Sequence, residues 1–174
     1  PRNLLANFLL SAFVVLAIVT LLQFRGFDLS ALAGFLRISF FRTLGTGAIL
    51  LFFFYPLIGF SEAINQRFFG GGSSKQNIVE FFSASRTIEE RIMIIVFAGA
   101  FAPIVEEFVF RFFIYGVLKR YVGCLLGVIL SSLLFAAAHA HFPSFVPLFV
   151  LGSCFAIAYE WSDSILVSMT MHSL

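Results

Sequence analysis

Residues 92–118 read IMIIVFAGAFAPIVEEFVFRFFIYGVL. The run exceeds the ~18 apolar residues that mark a transmembrane helix, yet Glu106, Glu107 and Arg111 sit near its middle. Ionisable groups at that depth are costly and need a partner or a task. A helix advances ~100° per residue, so with Glu106 at zero, Glu107 falls near ~100° and Arg111 near ~140°. Glu107 and Arg111 are therefore i,i+4 neighbours that can pair. Glu106 points to another face, without that partner.

Outward from this run, the rest of the chain is equally apolar. Of 174 residues, 60% are hydrophobic, 11% are charged and 26 are Phe. An ordinary soluble domain is only about half apolar and needs a charge-rich surface. The composition therefore gives an all-α, polytopic transmembrane helical bundle. Six membrane segments are expected, at about 4–24, 44–60, 87–118, 123–142, 145–160 and from 162 to the end. The first is too long for the ~7–15-residue core of a cleaved signal peptide. Thr87-Ile88-Glu89-Glu90 is a capping box that starts the third segment. Lys119-Arg120 closes it, Pro143 ends the fourth, Ser144 can cap the fifth, and Ser162, Asp163 and Ser164 can cap the sixth.

Between the second and third segments, Gly70-Gly71-Gly72-Ser73-Ser74 is a linker by composition. Residues 78, 81, 82, 88 and 92 share an arc suited to an interfacial helix, and another short interfacial helix is expected from Asp28. Residues 1–86 thus form the N-terminal segments and loop, and residues 87–174 the part that carries chemistry.

Scattered Lys and Arg and a net charge of +2 exclude a nucleic-acid surface. Lysines and arginines balance across alternate loops, so the positive-inside rule does not choose an orientation. Cys124 and Cys154 lie in apolar segments and read as small buried hydrophobes. Tyr115, Tyr159 and Trp161 read as interfacial aromatics.

Two further clusters join the glutamates. Phe135-Ala136-Ala137-Ala138-His139 closes the fourth segment; its alanines admit a close helix or a water. His172 lies part-way into the last segment. At ~1.5 Å per residue from the nearest turns, Glu106, His139 and His172 lie ~20, ~25 and ~14 Å deep, a spread that tilt or a kink at Pro103 can close. A desolvated carboxylate beside imidazoles suits the activation of water, because an apolar medium makes a carboxylate a stronger base. A second imidazole can donate to an oxyanion. The bland alternatives are a Glu106 that merely adds to Arg111's partners, and a His139 bonded to a backbone carbonyl at a helix end. His141 could substitute for His139 in another register.

Glu106-Glu107-x-x-x-Arg111, Phe135-x-x-x-His139 and a late, membrane-embedded His172 resemble the three motifs of the CPBP family (CAAX protease and bacteriocin-processing, or Abi) of membrane peptidases, relatives of the Ras-converting CAAX endopeptidase. The resemblance covers roughly residues 87–174. It implies an intramembrane endopeptidase of glutamate type, without a metal, in which Glu106 and His139 activate water and His172 helps to form the oxyanion hole. Glu107, Arg111 and Phe135 would support that site. The family usually places an Asn or Asp four residues after the last His, so the third motif is expected to be completed beyond Leu174. The implied partners are membrane lipid and a membrane-anchored peptide or protein, in a bacterial cell membrane.

Two other readings of the same residues stay open. Glu106, His139 and His172 suit zinc as ligands of a metallopeptidase. A buried Glu/His set also suits a proton-coupled transporter or a non-enzymatic immunity protein.

Overall fold

A computed structural model describes residues 2–28, 33–34, 39–69, 82–85 and 87–174, with side chains described from Leu9 onward in the first helix and through Phe68 in the second. The expected Gly-rich linker, and all but fragments of the two expected interfacial helices, lie outside the described residues. Among the described residues every regular element is helical.

Helix α1 covers Arg2–Phe24 and α2 covers Phe40–Phe69. Helix α2 is longer at both ends than the 44–60 expected, because its polar C-terminal turns (Glu62, Asn65, Gln66) continue the helix beyond the apolar stretch and through Pro56. Helix α3 spans Ile88–Val96 and begins as its capping box dictates. Thr87 Oγ1 accepts from the Glu90 N–H, and the Glu90 carboxylate accepts from the Thr87 N–H.

The same rod continues through a π-helical turn (Phe97–Phe101), helix α4 (Ala102–Glu107), a second π-helical stretch (Phe108–Tyr115) and helix α5 (Gly116–Ala138). The first π-turn answers Pro103. A proline ring clashes with the carbonyl four residues back, and just ahead of it the Ala102 N–H reaches back five residues to Phe97. Turns of this kind recur beside functional residues. Here two of them flank the six-residue helix that holds both glutamates.

Helix α5 is two arms. Gly123, at φ 82° and ψ 174°, reverses the chain within it. Residues beyond it fold back on those before: a Cβ at Gly127 would lie 3.2 Å from the Lys119 nitrogen and 3.3 Å from the Tyr115 ring. The third and fourth expected segments are thus an antiparallel hairpin. Its second arm stops at His139, four residues short of Pro143, because Ala140 adopts φ 48°. A 3-10 turn (Phe142–Ser144) leads to α6 (Phe145–Ser162), and Asp163, left-handed at φ 52°, leads to α7 (Ile165–Ser173). Ser144 and Ser164 stand at the N-cap positions of α6 and α7, but neither makes a side-chain capping bond.

Three stretches are long and apolar enough to cross a bilayer: Phe40–Phe68, Ile88–Ala138 (the hairpin and its lead-in) and Phe142–Ser162. Large apolar side chains such as Phe13, Phe41, Phe52, Phe53 and Leu125 face outward. In water such a surface would aggregate; in lipid it is the solvated face. The protein is an integral membrane protein.

Inside, α6 packs between the α5 arm and α2, and α7 lies against α2, α4 and α6. Small residues set the closest approaches. A Cβ at Gly47 of α2 would come within 2.9 Å of Thr170 of α7, and one at Gly152 of α6 within 3.1 Å of the Phe135 ring. The α6–α7 turn is seated deep, since Ile165 and Met169 pack on Phe112 with Ala33. The depth gap left by counting rises closes there, because α7 starts part-way up the bundle and delivers His172 to the level of the glutamates.

Two sequence expectations are corrected. Tyr115 is not interfacial: it is fully buried and donates to Glu160 Oε2 at 2.7 Å, so the hairpin's turn end is tied to α6. Lys119 Nζ adds contacts of 2.6 Å to both oxygens of Glu160. Cys124 is exposed rather than buried, although its Sγ lies 3.4 Å from the Tyr115 hydroxyl, whereas Cys154 is buried as expected.

Candidate active site

Helix α4 presents Glu106 and Glu107 on adjacent faces, as one step of ~100° requires. Glu107 turns inward and is fully buried; Glu106 keeps 29% of its side-chain surface. Arg111 Nε lies 3.2 Å from Glu107 Oε2, the i,i+4 pair expected, and Arg111 Nη2 donates to the Gly152 carbonyl at 3.1 Å. The guanidinium carbon also stands 4.3 Å from the Phe135 ring centre and 5.2 Å from that of Phe155. A buried charge pair is tolerated only when its remaining hydrogen-bonding capacity is met. Here it is met only in part: one guanidinium N–H reaches the Gly152 carbonyl and two ring faces cover the group, while Arg111 Nε, Arg111 Nη1 and Glu107 Oε2 make no hydrogen bond among the described residues.

The α5 arm brings His139 over this pair and α7 brings His172. Glu106 Oε2 lies 3.7 Å from His139 Nε2 and 3.9 Å from His172 Nε2. Three side chains from three helices therefore converge on one point. Both separations exceed a direct hydrogen bond and are of the size that one water bridges. Glu106 Oε2 is itself shielded and makes no hydrogen bond among the described residues.

The second ring nitrogens fix the tautomers. His139 Nδ1–H donates to the Phe135 carbonyl at 2.8 Å, since a carbonyl can only accept. The bland reading of His139 as a carbonyl-bonded residue thus holds for one nitrogen, and the bond turns the other towards Glu106. His172 Nδ1–H donates to Glu107 Oε1 at 3.0 Å by the same logic. Glu107 therefore joins Arg111 to His172. Sequence reasoning assigned it only the former, because the i,i+4 rule sees along one helix and not across to another.

Phe135 is fully buried and packs at 4.6 Å on His139 and at 6.1 Å on His172. Phe155 of α6 was missed from sequence. Its ring stacks on His172 at 4.6 Å and 28°. One Phe among 26 carries no local signal, and its place three residues after Gly152, which packs on Phe135, shows only in the structure. His141 does not compete with His139: its Nδ1 lies 3.0 Å from Ser144 Oγ in the following turn. Among the described residues no group of three His, Cys, Asp or Glu side chains has the geometry to hold a metal ion.

The family model for Type II CAAX prenyl endopeptidase Rce1-like proteins matches residues 88–174, from the first turn of α3 through α7. The chain belongs to the Rce1-like family. The matched part of this Rce1-like chain holds every residue of the polar constellation just described. It is also similar to the membrane-embedded CAAX protease MroQ of Staphylococcus aureus (strain USA300), 33% identical over 113 residues, which cover 61% of the chain and 44% of that relative. The chain spans less than half the length of the curated relative it matches. No solved structure gives a significant match.

Proposed function

We propose that this Rce1-like protein is a membrane-embedded endopeptidase of bacterial cell membranes that cleaves membrane-anchored peptides or proteins with a water held between Glu106 and His139. The observation that carries the reading is the position of Glu106 Oε2, 3.7 and 3.9 Å from two imidazole Nε2 atoms that arrive on separate helices. A water there donates one hydrogen bond to the carboxylate and the other to the lone pair of His139 Nε2. Its oxygen is then free to attack a carbonyl carbon. Glu106 takes the proton as general base and returns it to the leaving amine.

His172 is backed by Glu107 as the imidazole of a serine-protease triad is backed by its aspartate, which holds the ring and stabilises its protonated form. From that position Nε2 of His172, when it carries a proton, donates to the oxyanion of the tetrahedral intermediate. No step calls for a metal. The Rce1-like relationship supports a prenylated CAAX substrate as the first to test.

The experiment is cleavage of a fluorogenic farnesylated CAAX peptide, and of a non-prenylated membrane peptide, by purified protein in lipid–detergent micelles. Glu106→Gln and His139→Ala are expected to lower kcat by roughly 10²–10⁴-fold with folding intact. Wild-type turnover by either variant overturns the reading.

A further inference from the structure

We propose that Asn65, on α2 and outside the family-matched residues, is a positioning residue for His139. Three observations meet in it. Asn65 is 5% exposed, and a buried amide in an apolar bundle is unfavourable unless its donors and acceptor are used. Its Nδ2–H donates to the carbonyl of Pro143, 78 residues away in sequence and four residues after His139. Helix α2 packs against the Phe142–Ser144 turn at that point.

The loop that receives this bond needs it. His139 is the C-cap of the α5 arm, and a helix end leaves its last carbonyls without intrahelical partners. The bonds from Ala140 N to the Ala137 carbonyl, from Ser144 N to the His141 carbonyl, and between His141 and Ser144 all stay within a few residues. They shape the loop from within, and Asn65 adds a bond from a helix that also lies along the other imidazole's support. Leu50, Leu51 and Phe54 of α2 pack on the cluster of Cys154, Phe155, Ala158 and Met171, beside His172. One helix thus braces both histidines: His172 through packing, and His139 through a hydrogen bond at the far end of its loop. Terminal turns fray first, so without Asn65 the His139 ring would sample positions away from Glu106 while the bundle stayed folded.

The inference rests on His139 being catalytic, and the test separates the two claims. Asn65→Asp keeps the shape and removes the donor; Asn65→Leu removes both polar atoms; Asn65→Gln keeps a donor one methylene further out. Each is assayed with the farnesylated CAAX peptide in the same micelles, beside wild type and His139→Ala. The donor-less variants are expected to lose roughly 10- to 100-fold in kcat with KM nearly unchanged, since a misplacement of ~1 Å costs on the order of 100-fold. Asn65→Gln is expected to recover most of the loss. Hydrogen exchange in residues 139–144 is expected to quicken in Asn65→Leu and Asn65→Asp only. Should Asn65→Leu fail to fold, Asn65→Ser, small enough to admit a water, takes its place. Wild-type activity in His139→Ala sinks the active-site reading. A dead His139→Ala beside wild-type kcat in Asn65→Asp sinks the Asn65 inference alone, and so does equal loss in Asn65→Gln and Asn65→Asp.

Discussion

Replacing Arg111 by Met strands a charge where water cannot reach it. Met keeps much of the arginine's length and apolar body, but the Glu107 carboxylate, fully buried, then has only His172 Nδ1 as a close polar partner among the described residues. Breaking a buried pair by removing one member costs about 3–5 kcal/mol, mostly because the other charge remains. The lost bond to the Gly152 carbonyl falls within that range rather than adding to it, since a carbonyl is cheaper to leave unpaired than a carboxylate. Against a total stability of about 5–15 kcal/mol, the single change removes a large share.

Neutralising the survivor should restore much of it. The double variant Glu107→Gln with Arg111→Met carries no buried charge there, and apolar replacement of a whole ion pair is often neutral or stabilising. We expect it to be at least about 2 kcal/mol more stable than Arg111→Met alone. Equilibrium unfolding of wild type, both singles and the double in mixed micelles measures the cycle. A cost below about 1 kcal/mol for Arg111→Met, or a double variant as unstable as the sum of its singles, would refute the view that the pair is held together by mutual neutralisation. Turnover reads the other half. The double variant should stay slow even when stable, because His172 has lost its carboxylate.

Phe155→Leu removes the ring stacked on His172 and should lower kcat about tenfold, equivalent to the ~1–2 kcal/mol of a desolvated cation–π contact; unchanged turnover would show the stack to be incidental. Gly152→Ala places a methyl 3.1 Å from the Phe135 ring and 3.3 Å from Ser132 Cβ, and should cost about 1–3 kcal/mol in unfolding by overpacking. Lys119→Met breaks a partly exposed bridge to Glu160 and should cost no more than about 1 kcal/mol with turnover intact; a drop in kcat would mean that the turn end communicates with the site. Incubation with a chelator should leave peptide cleavage at its original rate, and a loss restored by added zinc would replace the glutamate mechanism with a metal one.

Much of the architecture is legible before any coordinates. The apolar runs give the helices, Thr87 and Glu90 give the start of α3, and the spacing of Glu107 and Arg111 gives their pair. All of these are local signals. What escapes is set across helices. Neither the bond from His172 to Glu107 nor the stack of Phe155 on His172 has a mark in its own segment. Tyr115 misleads for the same reason: an aromatic near a segment end suits the interface by default, and only the partner Glu160 on α6 turns it inward. The end of the α5 arm at His139, rather than at Pro143, is likewise a matter of backbone at Ala140, where no Gly or Asn advertises the turn.

Gly123 also acts as a gauge of length. Seventeen residues lead from Glu106 down to it and sixteen lead back up to His139. With no slack at the bend, one inserted residue in either arm would slide the imidazole by ~1.5 Å and swing it by ~100°. A change of chain length inside this interval would therefore have to be taken up within the arm it falls in, as a π-turn takes up one residue, for the imidazole to keep its place.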